Sequence, residues 1–307
     1  MIQSVHIRNF RCLRDVEFTL SPLTALVGPN SSGKSTVLEA LGAPMAHVSQ
    51  DVRWKHDRSL EVCVDYRTAV ETMKWTLSPR QSKAVFSPGA PFKYQFLRLD
   101  LNMMREPITV SNAPVLAHDG ANLANAVYSL TRKQQADVAE QLCSLVPTFS
   151  DVDLVPVGSG KHTLRFHDRW DPAVHYSPSE VSDGTMLVLA FLMIQHQQNA
   201  PDLLAIEEPE RGLHPYLLGE LVAFLRKLSA GEIGAKAIQV VLATQSADLL
   251  DHLKPEEVRF LDRDTEDGSV RVEAVNTGAD GWERAFAEYR NSLGGAWLAG
   301  SLGGVPG

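Results

Sequence analysis

Apolar and polar positions follow two rhythms along this chain, and the change between them marks its organisation. Through residue 110 the period is close to two. Residues 3–10 and 14–20, with SVHIRNF and RDVEFTL at their centres, read as two short strands joined by a tight connection. Leu23 to Val27 is a third strand, apolar throughout, which runs into GPNSSGKST and then an apolar-periodic helix, TVLEALG, that Gly42 can end. Residues 60–110 alternate in SLEVCVDYR, TMKWTL and YQFLRLDL, which predicts antiparallel strands broken at Pro79, Pro88-Gly89 and Pro91. Residues 120–146 predict two helices, ANLANAVYSL and QQADVAEQLCSLV, and DLVPVGSGKHTLRFH predicts a hairpin around its Gly-Ser-Gly turn. After Val181 helix and strand alternate. SDGTMLVLAFLMIQHQ is a helix, DLLAIEE a buried strand, YLLGELVAFLRKL a helix, IQVVLAT a buried strand, SADLLDHL a helix, and VRFLDRD with VRVEAV two final strands. Such alternation predicts a mainly parallel sheet with flanking helices. The Gly-rich end, LGGAWLAGSLGGVPG, is expected to be loosely ordered unless a partner holds it.

Length adds that the 307 residues suit one large α/β domain, or one domain with a lid. With 44% apolar and 21% charged residues the chain is neither a disordered tail protein nor a fibre. A net charge of -8 argues against a basic nucleic-acid coat. The charge is uneven, however. Residues 1–110 carry 14 Lys/Arg against 10 Asp/Glu, whereas residues 171–307 carry 10 against 21, so a polyanion would favour the N-terminal part. Cys12, Cys63 and Cys143 show no CxxC spacing, which suggests neither a disulfide framework nor a zinc site and fits a cytoplasmic protein. MIQSVHIRNFRCLR lacks the apolar core of a secretion signal. The longest apolar run, Met186 to Ile194, has nine residues. A membrane span needs about 20, so no membrane partner is expected.

Four motifs carry chemistry. Gly28, Pro29, Asn30, Ser31, Ser32, Gly33, Lys34 and Ser35 spell a full G-x-x-x-x-G-K-S, followed by Thr36, with a strand before it and a helix after it. The backbone N–H groups of residues 30–35 are expected to cradle a β-phosphate, Lys34 to reach the β- and γ-phosphates, and the Ser35 hydroxyl to bind Mg²⁺. Leu203 to Glu208 delivers two adjacent carboxylates to a strand's carboxyl end, where side chains diverge. Glu207 is expected to hold Mg²⁺, directly or through water, and Glu208 to polarise the attacking water as general base. Ser182, Asp183 and Gly184 open an apolar helix. Ser182 is a good N-cap there, and the hydroxyl, the glycine backbone and the positive helix end together suit a γ-phosphate held by another subunit. Finally, VVLATQS brings Gln245 near where that phosphate would sit, and Ser246 can cap the next helix.

In this order the four motifs resemble the ABC-type ATPases. The resemblance is closer to the SMC, RecF and OLD branch, and to the AAA-family ATPases of bacterial defence and toxin–antitoxin loci, than to transporters. IRNFRCLRDVEFTLSPLTALVGPNSSGKST is similar to that branch's N-terminal hairpin and Walker A, VSDGT to the signature, LLAIEEPERGLHP to Walker B and the D-loop, and VLATQSADLLD to the switch segment. The resemblance implies a P-loop NTPase head spanning residues 1–307. It implies a mainly parallel central sheet, N-terminal antiparallel strands, and residues 43–177 as a variable lid of mixed α and β structure. It implies ATP and Mg²⁺, and a homodimer in the ATP-bound state that sandwiches two nucleotides between one chain's Walker A and the other's signature. The chain departs from the pattern in having Glu207 where Walker B usually offers Asp, and Gln245 where the switch is often His. Glutamine cannot take a proton, which leaves the base role to Glu208. Gln81 and Gln95 are both candidates for the Q-loop.

Ser35 and Ser182 are 147 residues apart without heptads, too few for the coiled-coil arms of a full SMC or RecN protein. No Asn is followed by Lys, so the guanine-specific N-K-x-D is missing. A transporter nucleotide-binding subunit is the lesser alternative: it usually shows a longer LSGGQ-type signature with basic residues after it, and here the apolar MLVLAFLM follows. The expected function is an ATP-hydrolysing dimerisation switch that regulates a separately encoded effector, such as a nuclease or toxin, in bacterial defence. The competing expectation is a RecF-like ATPase acting directly on DNA, through a basic stripe of Arg8, Arg11, Arg14, Arg53, Lys55, Arg58, Arg67 and Lys74. His47 and His56 lie in the same segment without metal spacing and read as ordinary surface residues.

Overall fold

The computed structural model describes residues 1–45, 52–79, 84–87, 92–278 and 282–302. The chain divides into two compact units. The first holds Met1–Phe96, Pro201–Glu210 and Gln239–Gly307, and the second Leu97–Ala200 and Arg211–Ile238.

The first unit is built on two sheets. A six-stranded sheet has the order Val270–Ala274, Val258–Arg263, Leu23–Val27, Gln239–Thr244, Leu203–Glu207 and Tyr94–Leu97. Four of these strands are parallel, from Val258–Arg263 to Leu203–Glu207, and Val270–Ala274 is antiparallel at one edge. Leu23–Val27 and Gln239–Thr244 are buried at every position, as expected for parallel strands covered on both faces. Their register sets Leu242 opposite both Ala25 and Ile206, so three strands end level. The second sheet is antiparallel, in the order Leu13–Thr19, Ile2–Phe10, Val62–Thr68, Thr72–Leu77 and Val85–Ser87.

Helix Lys34–Leu41 shares one core with both sheets, through Val37, Leu38 and Leu41 against Val5, Ile7, Leu13, Val64 and Val241. At eight residues this helix would be marginal alone. Two tyrosines, the buried Tyr66 and the partly buried Tyr94, hold its carboxyl end. The Tyr66 hydroxyl donates to the carbonyls of Ala40 (2.9 Å) and Leu41 (3.2 Å), and Tyr94 donates to Leu38 (2.6 Å). They add donors to the last turn, where the Gly42 N–H reaches only the Leu38 and Ala40 carbonyls. Only glycine fits at position 42, where a Cβ would meet the Tyr94 ring at 2.3 Å. The Gln239 amide ties the N-terminal strand to the parallel sheet, bonding both the N–H and the carbonyl of Ile2 at 2.8 Å.

The second unit has an antiparallel hairpin, Phe149–Gly158 with Lys161–Asp168, turned at Ser159 and Gly160 with φ of 52° and 69°. His175–Tyr176 and Ile108–Thr109 flank it. Its helices include Leu123–Tyr128, Arg132–Leu145, Asp183–Ile194 and Pro215–Ala230. Asp183–Ile194 is buried at every position from Gly184 onward, which accounts for its nearly unbroken apolar sequence.

Three segments differ from the alternation pattern. Tyr94–Leu97 leaves the antiparallel series and lies beside Leu203–Glu207, where the N–H groups of Asp202 and Leu203 donate to the Lys93 carbonyl at 2.8 and 3.1 Å. The chain after it is the helix Leu101–Arg105 rather than a strand, because the Asp100 carboxylate caps it by accepting from the N–H groups of Asn102 and Met103. The C-terminal stretch is partly ordered by the chain itself. Helix Leu293–Leu298 buries Leu293 and Trp297, and the Asp251 carboxylate accepts from the Gly294 N–H at 2.8 Å. A Cβ at Gly294 would meet the Ala247 carbonyl at 2.2 Å, so this glycine is there for close packing, not for flexibility. The breaks at Pro88-Gly89 and Pro91, and the last residues, 303–307, lie outside the described residues.

Trp297 is 1% exposed although it lies ten residues from the last residue, Gly307. Trp297→Ala is therefore expected to cost about 3–5 kcal/mol of stability. Denaturant unfolding tests this; a loss below about 1 kcal/mol would place the helix outside the core.

Candidate functional site

The strand Leu23–Val27 ends at Gly28, and the loop from Gly28 to Gly33 turns the chain into helix Lys34–Leu41. Ser31 and Gly33 take the left-handed region, with φ of 65° and 104°. Side chains are excluded on both sides of the loop. A Cβ at Gly28 would lie 2.4 Å from the Leu261 carbonyl, and one at Gly33 would lie 2.6 Å from Val270 Cγ2. Ser32 is buried, and its hydroxyl has no hydrogen-bond partner. The loop therefore presents backbone N–H groups at a helix N-terminus, the arrangement that favours anions.

Lys34 folds back over this loop. Its Nζ donates to the carbonyls of Gly28 and Pro29, both at 2.8 Å. Burial lowers the pKa of Lys34, and the opposing attraction comes from Glu208, Glu207 and Glu210. Next to it the Ser35 hydroxyl donates to Glu207 Oε1. A hydroxyl and a carboxylate in contact are hard oxygen donors of the kind Mg²⁺ accepts beside phosphate oxygens.

The two adjacent acids diverge. Glu207 ends its strand facing Ser35, and Glu208 turns away with φ of 47°. A left-handed glutamate costs of order 1 kcal/mol, and such strain persists only where the surroundings over-determine it. Here the Glu208 N–H donates to the Ala243 carbonyl at 2.9 Å, and the Glu208 carboxylate accepts from Gln245 Nε2 at 3.2 Å. The Gln245 side chain is exposed. One open cleft is lined by Asn30, Ser31, Gly33, Lys34, Ser35, Thr36, Glu207, Glu208, Ala243 and Arg263.

Two residues in or beside this cleft were not legible in the motifs. Arg263 ends the strand Val258–Arg263, donating its Nε–H to the Ser31 carbonyl at 3.0 Å and another N–H to the Gly268 carbonyl. It braces the left-handed Ser31 and brings a second cation to the cleft. Glu210 follows the acid pair in EEPE, and its carboxylate accepts the Thr244 hydroxyl at 2.6 Å. Burial raises the pKa of Glu210. The strand-end position of Arg263 and the third acid of EEPE were the only sequence signals for these two residues.

In the second unit, Ser182 is the N-cap of helix Asp183–Ile194, accepting from the Thr185 N–H at 3.2 Å. Asp183 pairs with Arg105 at 2.8 Å, and the same guanidinium donates to the carbonyls of Pro178 and Val181. Gly184 packs toward Gly212, whose carbonyl a Cβ would meet at 3.5 Å. Ser246 caps the helix Ala247–Leu250, accepting from the Leu249 N–H at 3.1 Å.

Of the two Q-loop candidates, Gln95 lies in the edge strand Tyr94–Leu97, and Gln81 lies outside the described residues, as does His47. Four of the eight basic residues of the expected N-terminal stripe are engaged within the chain. Arg8 pairs with Asp65 (3.2 Å), Arg11 with Glu39 (3.0 Å) and Arg14 with Asp267 (2.8 Å), and buried Arg53 donates to the carbonyls of Leu60 and Ser78. Among the described residues the cysteines are unpaired, no cluster of His, Cys, Asp or Glu suits a metal, and no helix is long and apolar enough to cross a membrane.

Comparison with known proteins places this geometry in context. Residues 1–57 match a family model described as "AAA ATPase domain", and residues 131–251 match one described as "AAA domain, putative AbiEii toxin, Type IV TA system". An OLD nuclease of Thermus scotoductus (strain ATCC 700910 / SA-01) is 39% identical over 66 residues, 22% of this chain and 12% of that nuclease. The chain thus matches only a small part of that relative's length. Among solved structures, an SMC head bound to the C-terminal winged-helix domain of ScpA shares the fold, with a TM-score of 0.62 at 14% identity over 90% of this chain and 97% of the other. So does the SMC head domain of Thermotoga maritima, with a TM-score of 0.55 at 15% identity over 90% and 99%. A third is the SMC head with an extended coiled coil bound to the C-terminal domain of ScpA, derived from Pyrococcus furiosus. Its TM-score is 0.62 at 12% identity over 94% and 98%.

Proposed function

We propose that the chain is an ABC-like P-loop ATPase head of the SMC, RecF and OLD type and works as an ATP-driven dimerisation switch. The observation that carries this reading is the convergence of Lys34, Ser35, Glu207 and Glu208 on one cleft. The backbone of residues 30–35 receives the phosphates. Lys34 exchanges the carbonyls of Gly28 and Pro29 for the β- and γ-phosphate oxygens, a trade of neutral acceptors for charged ones. Ser35 and Glu207 hold Mg²⁺, which when bound neutralises phosphate charge. Glu208 takes a proton from water as the water oxygen bonds to the γ-phosphorus and the bond to the β-bridging oxygen breaks, releasing ADP and phosphate. Gln245 orients Glu208 and the water but takes no proton.

Ser182, Asp183 and Gly184 belong to a different compact unit from the P-loop. In the proposal they meet the γ-phosphate of the other protomer's nucleotide, closing two sites in a homodimer. Residues 43–177, the most variable stretch by resemblance, adapt the head to its partner. The pairing of Arg8, Arg11 and Arg14 with acids favours a protein partner over direct contact with DNA, because paired cations release fewer counterions. Two SMC-head neighbours were solved bound to ScpA domains, and the family model over residues 131–251 names a toxin–antitoxin system. We therefore assign the output to a separately encoded effector, a nuclease or toxin, in bacterial defence.

Glu208→Gln is expected to bind ATP within about threefold of wild type, lose at least about 30-fold in turnover, roughly 2 kcal/mol of barrier, and accumulate as a dimer with ATP and Mg²⁺. Turnover assays with light scattering test this, and activity within threefold of wild type would remove Glu208 from the base role. Ser182→Arg is expected to abolish turnover while the isolated chain keeps its ATP affinity. If Ser182 were only an N-cap, the variant would lose about 0.5–2 kcal/mol of stability with no selective loss of turnover.

A further inference from the structure

The third acid of EEPE sits where two loops of the cleft meet. Glu210 Oε1 accepts the Thr244 hydroxyl at 2.6 Å. Thr244 in turn accepts from the Ser246 N–H at 2.9 Å. Thr244 is fully buried, so its hydroxyl has no water to replace Glu210. Glu210 Oε2 is buried without a hydrogen-bond partner. A carboxyl placed so costs folding free energy, and burial raises its pKa in keeping with that cost. Packing alone would be served as well by an apolar side chain.

What the arrangement achieves is a clamp between the segment after Glu208 and the segment that carries Gln245. Two residues before Glu210, the backbone of Glu208 is left-handed, φ 47°, and its N–H is bonded to the Ala243 carbonyl, one residue before Thr244. The Gln245 side chain closes the loop on the Glu208 carboxylate at 3.2 Å. Each end of the strained turn is thus fastened to the strand Gln239–Thr244 or to the residue that follows it.

We propose that Glu210 is a positioning residue: by clamping Thr244, the residue before Gln245, it fixes the Glu208 carboxylate and the Gln245 amide in the geometry for water attack. This inference rests on the ATPase reading. A misplacement of about 1 Å at a reacting group can cost on the order of 100-fold in rate, so the clamp should act on turnover and not on binding.

The test compares wild type, Glu208→Gln, Glu210→Ala, Glu210→Gln and Thr244→Val for kcat, KM and calorimetric ATP affinity, with thermal unfolding as the control for folding. Glu210→Ala is expected to lower kcat by about 100-fold with KM and ATP affinity within about threefold of wild type. Glu210→Gln should restore kcat to within about fivefold, because its amide oxygen can accept the same bond from Thr244. Thr244→Val should lower kcat at least tenfold by removing the clamp from the other side, and it decides the matter should Glu210→Ala not fold. Unchanged kcat in Glu210→Ala or Thr244→Val, or a parallel fall in kcat and affinity, would overturn the inference. A wild-type protein without turnover, or a Glu208→Gln variant as active as wild type, would instead overturn the ATPase reading beneath it.

Discussion

The ammonium of Lys34 and the carboxylates of Glu207, Glu208 and Glu210 attract one another at the carboxyl ends of the parallel strands. Burial works against the charge on Lys34, and the three acids offset part of that cost. No local feature of the chain could bring these groups together, since Lys34 and Glu207 are 173 positions apart. The register does so: Leu242 lies opposite Ala25 on one side and Ile206 on the other, which makes the P-loop strand, the acid-bearing strand and the strand before Gln245 end together. Tyr66 and Tyr94 at the far end of helix Lys34–Leu41 complete the arrangement, because they fix the short helix whose N-terminus carries Lys34.

The site concentrates backbone strain where the charges meet. Ser31, Gly33 and Glu208 are all left-handed. Gly33 bears this without cost, but Ser31 and Glu208 need outside support. Ser31 has it from Arg263, and Glu208 from Ala243 and Gln245. Strain held by bonds from two other segments suits a site that must keep its geometry while a charged substrate replaces the contacts within it.

Much of this was legible in the sequence because it obeys local rules. The apolar runs of Leu23–Val27, Leu203–Glu207 and Gln239–Thr244 announced buried parallel strands, and G-x-x-x-x-G-K-S between strand and helix announced the loop. What was not legible depends on partners distant in the chain. Arg263 gains its place only when its strand pairs with Leu23–Val27, and Glu210 only when Thr244 ends level with it. Asp100 turned an alternating LRLDL into a helix through a cap, and Trp297 drew a glycine-rich tail into the core. In each case a single side chain outweighed the local pattern. The paired Arg8, Arg11 and Arg14 show the same limit, since their acid partners come from separate segments.

The central claim is that the cleft around Lys34 binds a nucleoside triphosphate with Mg²⁺ through charge. Titration calorimetry of ATP with Mg²⁺ into wild type and into Lys34→Ala tests it most directly. Lys34 brings the ammonium of the phosphate loop to face several anionic oxygens. The account predicts saturable binding to wild type and a loss of at least about 100-fold in affinity for the variant, roughly 2.7 kcal/mol. Equal affinity in the two proteins would contradict it.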